Sequence, residues 1–203
     1  MEKDWRELKK EAETLLPEWI EESRIHCGQG KVADYIPELG KADKNVLGVT
    51  IRHLNGDELT AGDCDFLFTM QSISKVFTLL LALMDQGEKA VFEKVGMEPT
   101  GDYYNSLLKL EMIQPGKPFN PLINAGAITI ASLIKGANAD ERVSRILSFV
   151  RRISGNADLT INEKVYRSEA ETSDRNRSLA YLLKDNGVLS GVVEDHLDVY
   201  FRH

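Results

Sequence analysis

The sequence predicts an α/β chain of the α+β kind, with an antiparallel sheet flanked by helices and a separate helical part. Three observations predict it. Residues 5–20 repeat apolar side chains at helical spacing. Strand-type composition is confined to residues 46–61, around an Asn55-Gly56 turn. From Ser72 onward the periodic segments are almost all helical.

The first element places Trp5, Leu8, Ala12, Leu15, Leu16, Trp19 and Ile20 on one stripe between charges, an amphipathic helix with one buried face. Pro17 lies within it and is expected to kink it or to begin a second helix. Gly28, Gly30 and Pro37–Gly40 read as loop. Val46–Arg52 is β-rich, and Glu58–Ala61 returns antiparallel to it. Two strands are marginal as an independent sheet, so further strands are expected, and the remaining sequence does not obviously supply them. Ser72–Gln86 follows, with Val76, Phe77, Leu80, Leu81 and Met84 on one stripe. It is hydrophobic enough to be a central, buried helix, stopped by Gly87. Residues 99–121 are rich in turn signals. A small-residue helix then runs from Asn124 to about Lys135. Asp140–Ser154 is helical, with Val143, Ile146, Leu147 and Val150 on one face, and so are Thr172–Lys184 and Val192–Phe201. The reading is one domain over 1–203: a helix-and-sheet part, 1–70, and a helical part, 71–203.

The 203 residues are 42% hydrophobic and 28% charged, ordinary globular values that supply a real core. The net charge of −7 argues against a broad nucleic-acid or anionic-membrane surface. The longest apolar run, Val76–Met84, is too short to span a bilayer, and Met-Glu-Lys-Asp-Trp carries no secretory h-region. Cys27 and Cys64 form no disulfide framework or zinc quartet and read as reduced thiols. The expected partners therefore exclude nucleic acid and membrane, and the expected location is the cytoplasm. His26, His53, His196 and His203 have no ligand spacing, so neither a metal nor an organic cofactor is expected. Gly28-Gln-Gly-Lys31 fails as a phosphate loop, because Ile25 and Val32 stand where a glycine and a hydroxyl residue are needed.

Three segments carry chemistry. In Ser72-Ile-Ser-Lys75 a hydroxyl and an ammonium lie three residues apart, on one helical face. A serine becomes nucleophilic when a neighbouring base takes its proton, and a lysine is such a base when burial disfavours its charge. A helix start also favours developing negative charge. By itself the motif is better read as a capping serine and a solvated lysine. In Phe119-Asn-Pro-Leu-Ile-Asn124-Ala-Gly-Ala127 an asparagine heads a small-residue helix, where it can cap or can bond a lysine or a carboxylate. In Ser168-Glu169…Asp174-Arg-Asn176, Glu169 and Asn176 are seven apart, two turns on one face of a continuous helix. A carboxylate suits a ligand ammonium and an amide suits a ligand carboxylate, though the stretch also reads as a capped helix start.

Together with Ala33-Asp-Tyr35-Ile-Pro-Glu-Leu39 and Leu197-Asp-Val-Tyr200-Phe201, these segments resemble, in order and spacing, the serine-dependent glutaminases. Those enzymes share the fold of β-lactamases and DD-peptidases. The resemblance implies that Ser72 is the acylated nucleophile and Lys75 its base. It implies that Tyr35 closes over the substrate, and that Asn124, Glu169, Asn176 and Tyr200 grip the amino-acid end of L-glutamine. The implied reaction is hydrolysis to L-glutamate and ammonia, without a cofactor. Self-association as a dimer or tetramer is expected of the full-length form. The family pattern continues past Tyr200 with a Cys-Ser pair, a second active-site tyrosine and a glycine-rich strand of the same sheet. The resemblance is therefore to a C-terminally truncated member lacking those sheet strands, and a chain of this extent is expected to be either part of an active enzyme or a catalytically silent fragment. A β-lactamase or penicillin-recognising protein fits less well, because Asn124 with Glu169 favours an amino-acid pocket over a peptide groove.

Overall fold

The computed structural model describes residues 4–101 and 117–203, in two compact units, Met1–Phe68 and Thr69–His203. The predicted turns within 102–116 lie outside the described residues.

The first unit packs helix α1 (Trp5–Arg24) on the antiparallel pair β1 (Gly48–Arg52) and β2 (Glu58–Gly62), in a register that sets Thr50 opposite Thr60. Leu16 and Ile20 of α1 meet Leu59 and Ala61 of β2, with Trp5, Ala12, Leu47 and Val49 around them. Helix α1 continues through Pro17 as one helix. Pro17 and Glu13 are both exposed, so the carbonyl that loses its partner can be solvated. The hairpin connection is longer than a two-residue turn. His53 N–H donates to the Asp57 carbonyl, Asp57 N–H donates to Asn55 Oδ1, and Gly56 takes a positive φ of 96°. The Trp5 ring stacks on His53 at 4.3 Å, and its indole N–H donates to Asp57 Oδ2 at 2.7 Å. The strand after this turn closes at Gly62, where a side chain would lie 2.2 Å from the Leu47 carbonyl oxygen. Asp63 beyond it accepts from Leu47 N–H and from Arg24, which holds its carboxyl below the usual range.

The second unit is helical among its described residues: α2 (Ser74–Gln86), α3 (Glu88–Lys94), α4 (Asn124–Leu133), α5 (Ala139–Ser154), α6 (Glu163–Thr172), α7 (Asp174–Asp185) and α8 (Val193–Phe201). Two of these, α3 and α6, were not expected from the sequence. Helix α6 opens on Asn162, whose side chain accepts from the N–H groups of Lys164 and Val165. Helix α4 is central, buried on every side from Asn124 to Ala131. Its small residues let α2, α7 and α8 pack around it. Ala131, Ile130 and Leu81 belong to one core cluster with Val143, Ile146, Phe149 and Val150 of α5; Ala125 and Ile128 belong to another with Leu179, Leu183 and Leu197.

Helix α2 departs from the expected stripe. Its buried side is Ser74, Lys75, Thr78, Leu81 and Ala82, whereas Val76, Leu80 and Met84 are exposed. The helix is apolar almost all round, so periodicity alone could not choose its inner face. On α5, Phe149 rather than Leu147 completes the buried face. The ends of α2 and α4 are tied by polar bonds. Asp85 accepts from Lys135 N–H at 2.9 Å and pairs with Arg145, and Gln86 donates to the Leu133 carbonyl at 2.7 Å. At the other end, Gly126 lets the Asn120-Pro121 backbone lie against α4, where a Cβ would stand 1.9 Å from the Asn120 carbonyl oxygen. Buried His196 joins α8 to α5. Its Nε2–H donates to the Ser190 carbonyl at 2.6 Å, and its Nδ1 accepts from Arg142 at 3.1 Å.

Two outcomes follow for stability. Gly126→Ala should gain about 1 kcal/mol of helix propensity yet be destabilising overall, because the clash is with backbone and overpacking costs about 1–3 kcal/mol or more. Urea unfolding of both proteins measures the sign. Burial lowers the His196 pKa in the folded chain, so the unfolded chain binds more protons below the ordinary histidine range. The free energy of unfolding should therefore fall as pH drops below about 6.5, and His196→Gln should flatten that slope.

Candidate functional site

The 3-10 turn Gln71–Ile73 leads into α2, so the α-helix starts two residues later than the sequence suggested. Ser74 Oγ donates to the Gln71 carbonyl at 2.7 Å, closing that turn. Gln71 has a φ of 47°, a left-handed conformation that side chains rarely adopt and that sets the approach to Ser72. Ser72 is exposed on the turn, and Lys75 follows in the first turn of α2.

Lys75 is only 5% exposed. Its Nζ donates to the Leu122 carbonyl and to Asn124 Oδ1, both at 2.9 Å. Both acceptors come from one bracket. Asn120 Oδ1 accepts from the N–H groups of Leu122 and Ile123, and its Nδ2 donates to the Glu98 carbonyl at 2.9 Å. That bracket turns the Leu122 carbonyl inward and starts α4 at Asn124. Asn124 in turn donates through Nδ2 to Asn176 Oδ1 at 3.0 Å, and the two asparagines are 8% and 9% exposed. The result is a buried chain of Lys75, Asn124 and Asn176, drawn from α2, α4 and α7.

Glu169 reaches the same region from α6. Lys75 and Glu169 feel each other's charge, yet burial outweighs that attraction for both. Burial pushes the lysine down to about 8 and the carboxyl up to about 7. At neutral pH the pair sits close to exchanging charged for uncharged forms, a condition common at functional sites. Glu169 and Asn176 do not share one helix: α6 ends at Thr172, α7 begins at Asp174, and Ser173 is the break. The expected two-turn spacing therefore does not exist, and Asn176 enters the network from the first turn of a second helix.

Tyr200 is on α8, half-buried, with the His203 ring edge-on at 5.8 Å. His203 Nδ1–H donates to the Val199 carbonyl at 2.6 Å, and burial pushes its pKa down to about 4, so it is neutral beside Lys75 at physiological pH. Tyr35 belongs to the first unit and is exposed. Hydrogen bonds thus bring Lys75, Asn124 and Asn176 together, and charge links Glu169 to Lys75. Sequence reasoning missed the Leu122 carbonyl, Asn120 and His203. The Asn-Pro step at 120–121 was the available signal for the bracket. Among the described residues no group of acidic, histidine or cysteine side chains could hold a metal ion, and no helix is long and apolar enough to cross a membrane.

Residues 30–203 match the family model described as Glutaminase. A glutaminase of Alkaliphilus metalliredigens is 54% identical over 183 residues, a match covering 90% of this chain and 60% of the relative. A Clostridium botulinum glutaminase is 54% identical over 188 residues, covering 93% and 62%. The chain thus spans about three-fifths of the length of these curated relatives. Among solved structures, a probable glutaminase of Bacillus subtilis superposes with a TM-score of 0.85 at 40% identity, covering 95% of this chain and 58% of the other. Another Bacillus subtilis glutaminase structure, with a TM-score of 0.81 and 39% identity over 93% of this chain and 58% of the other, is a covalent complex with 5-oxo-L-norleucine formed by reaction with 6-diazo-5-oxo-L-norleucine. By sequence and by structure, the chain belongs to the glutaminase family.

Proposed function

We propose that the chain carries the acylation machinery of an enzyme that hydrolyses L-glutamine to L-glutamate and ammonia. The observation that carries this reading is Lys75: a buried lysine, bonded to two neutral oxygens and one turn from an exposed serine, with its proton weakly held. Ser72 Oγ attacks the side-chain carboxamide carbon while its proton passes to Lys75 Nζ. The tetrahedral intermediate collapses, ammonia leaves with a proton returned from Lys75, and a glutamyl ester remains on Ser72. Water then attacks the ester, and glutamate departs. The backbone N–H of Ser72, in the turn that leads into α2, shares in holding the oxyanion. Glu169 takes the α-ammonium, and Asn124, Asn176 and Tyr200 take the α-carboxylate and the rest of the amino-acid end. The reaction needs neither metal nor organic cofactor. The enzyme acts in the cytoplasm and self-associates as a dimer or tetramer.

The covalent complex of the Bacillus subtilis relative, formed by reaction of that protein with 6-diazo-5-oxo-L-norleucine, supports a route through a covalent bond to the protein. Ammonia release from L-glutamine by the 203-residue chain tests the reading. Ser72→Ala should lower turnover by about a thousandfold or more, and Lys75→Met should approach the same loss, because the two act as a unit. Absence of release by the unaltered chain would instead favour a catalytically silent fragment.

The pH profile has a definite sign. Lys75 must be neutral to accept the serine proton, and Glu169 must be ionised to hold an ammonium. With these groups near 8 and 7, kcat/KM should rise with pH across both values and be small below pH 6. A profile that is flat from pH 6 to pH 9 would contradict the assignment of Lys75 as the base.

A further inference from the structure

Helix α6 is ten residues long, and a helix of that length takes its place from what it packs on. Tyr166 and Ala170 lie against the cluster that holds Leu197 and Phe201 of α8. Apolar contact is non-directional, so it holds α6 to α8 without fixing the register between them. A polar node supplies direction. Tyr166 Oη–H donates to Asp198 Oδ1 of α8 at 2.5 Å. Arg202, just past α8, donates to Asp198 Oδ2 at 3.1 Å and to Oδ1 of Asp140, in the first turn of α5, at 2.7 Å. The Arg202 guanidinium also lies 5.7 Å from the centre of the Tyr166 ring. Asp198 and Arg202 thus join α5, α6 and α8. A hydroxyl bonded to a carboxylate is among the stronger hydrogen bonds, and this one raises the Tyr166 pKa, so the phenol keeps its proton at neutral pH. Glu169 is three residues along α6 from Tyr166, on the same face and half-buried. Tyr200 is two residues along α8 from Asp198. The node therefore links the two helices that carry Glu169 and Tyr200.

We propose that Tyr166 is a positioning residue for amino-acid recognition: its hydroxyl, seated on Asp198, fixes α6 on α8 and so sets Glu169 at the span from Tyr200 that an amino acid's ammonium and carboxylate require. This rests on the amino-acid reading of the site and adds to it the bond that sets its dimension. Tyr166 acts through Glu169, so its hydroxyl governs selectivity for the α-amino group.

The test is a pair of calorimetric titrations of the chain, with L-glutamate and with glutarate, two dicarboxylates that differ in the ammonium group alone. The unaltered chain should prefer L-glutamate. Tyr166→Phe keeps the ring and loses the hydroxyl. It should weaken L-glutamate roughly tenfold, about the effect of losing a hydrogen bond to a charged group, while glutarate changes by less than about twofold. Equal losses for both ligands would mark a merely structural role, and an unchanged preference no role; either overturns the proposal. Asp198→Asn leaves an oxygen for the hydroxyl and should retain the preference, whereas Asp198→Leu should lose it as Tyr166→Phe does. Retention in Asp198→Leu, or loss in Asp198→Asn, overturns the proposal even where Tyr166→Phe does not fold. Adding Tyr166→Phe to Glu169→Gln should cost L-glutamate nothing beyond the Glu169→Gln loss, because the two changes act through one group. A further loss confined to L-glutamate would contradict that route. If Glu169→Gln leaves the preference intact, or the unaltered chain binds neither compound, the amino-acid reading itself fails and the proposal with it.

Discussion

An ammonium group held out of water is the constraint on which the second unit is built. A buried charge is costly unless its hydrogens are bonded, and Lys75 meets that cost with neutral acceptors rather than with a close ion pair. The acceptors must be aimed. Asn120 aims the Leu122 carbonyl, and the start of α4 aims Asn124. For the bracket to lie on the helix, residue 126 can carry no side chain, and small residues such as Ala125, Ala127 and Ala131 let α4 pass close between α2, α7 and α8. Close packing here serves electrostatics: dry walls weaken the hold of the lysine on its proton, while the aligned oxygens keep its side chain in place.

The sequence made the local elements legible. The apolar stripe of α1, the β-rich runs beside Asn55-Gly56 and the small-residue run at 124–133 lie where their patterns place them. Ser72, Lys75, Asn124, Glu169 and Asn176 stood out through the order and spacing of the segments that resemble the glutaminases, since each segment alone also suits a capped helix start or a solvated face. What stayed hidden depends on tertiary contact. No pattern within α2 says that the side bearing Lys75 faces inward, since Val76, Leu80 and Met84 are more apolar and lie outside. The Leu122 carbonyl is backbone and has no residue signature. His203 gained its place from the turn that follows α8, not from any spacing to another histidine.

The two helices that escaped prediction, α3 and α6, are of seven and ten residues and are strongly charged. Each exposes most of its surface, so the periodic signal is brief and diluted. Helix α6 carries Glu169, which from the sequence read as sharing one helix with Asn176. Its environment could not be inferred without the packing of α6 on α8.

The break at Ser173 has a consequence for how such a pocket can vary. On a single helix, seven residues would fix Glu169 and Asn176 about 10 Å apart along one axis, whatever their neighbours. With two helices, each packed separately on α8, the distance between carboxylate and amide is set by side-chain volumes at two interfaces. The dimension of the pocket is thereby uncoupled from the helical repeat. In the proposed site, substitutions on the faces that α6 and α7 turn to α8 can lengthen or shorten the span between Glu169 and Asn176 without altering either group.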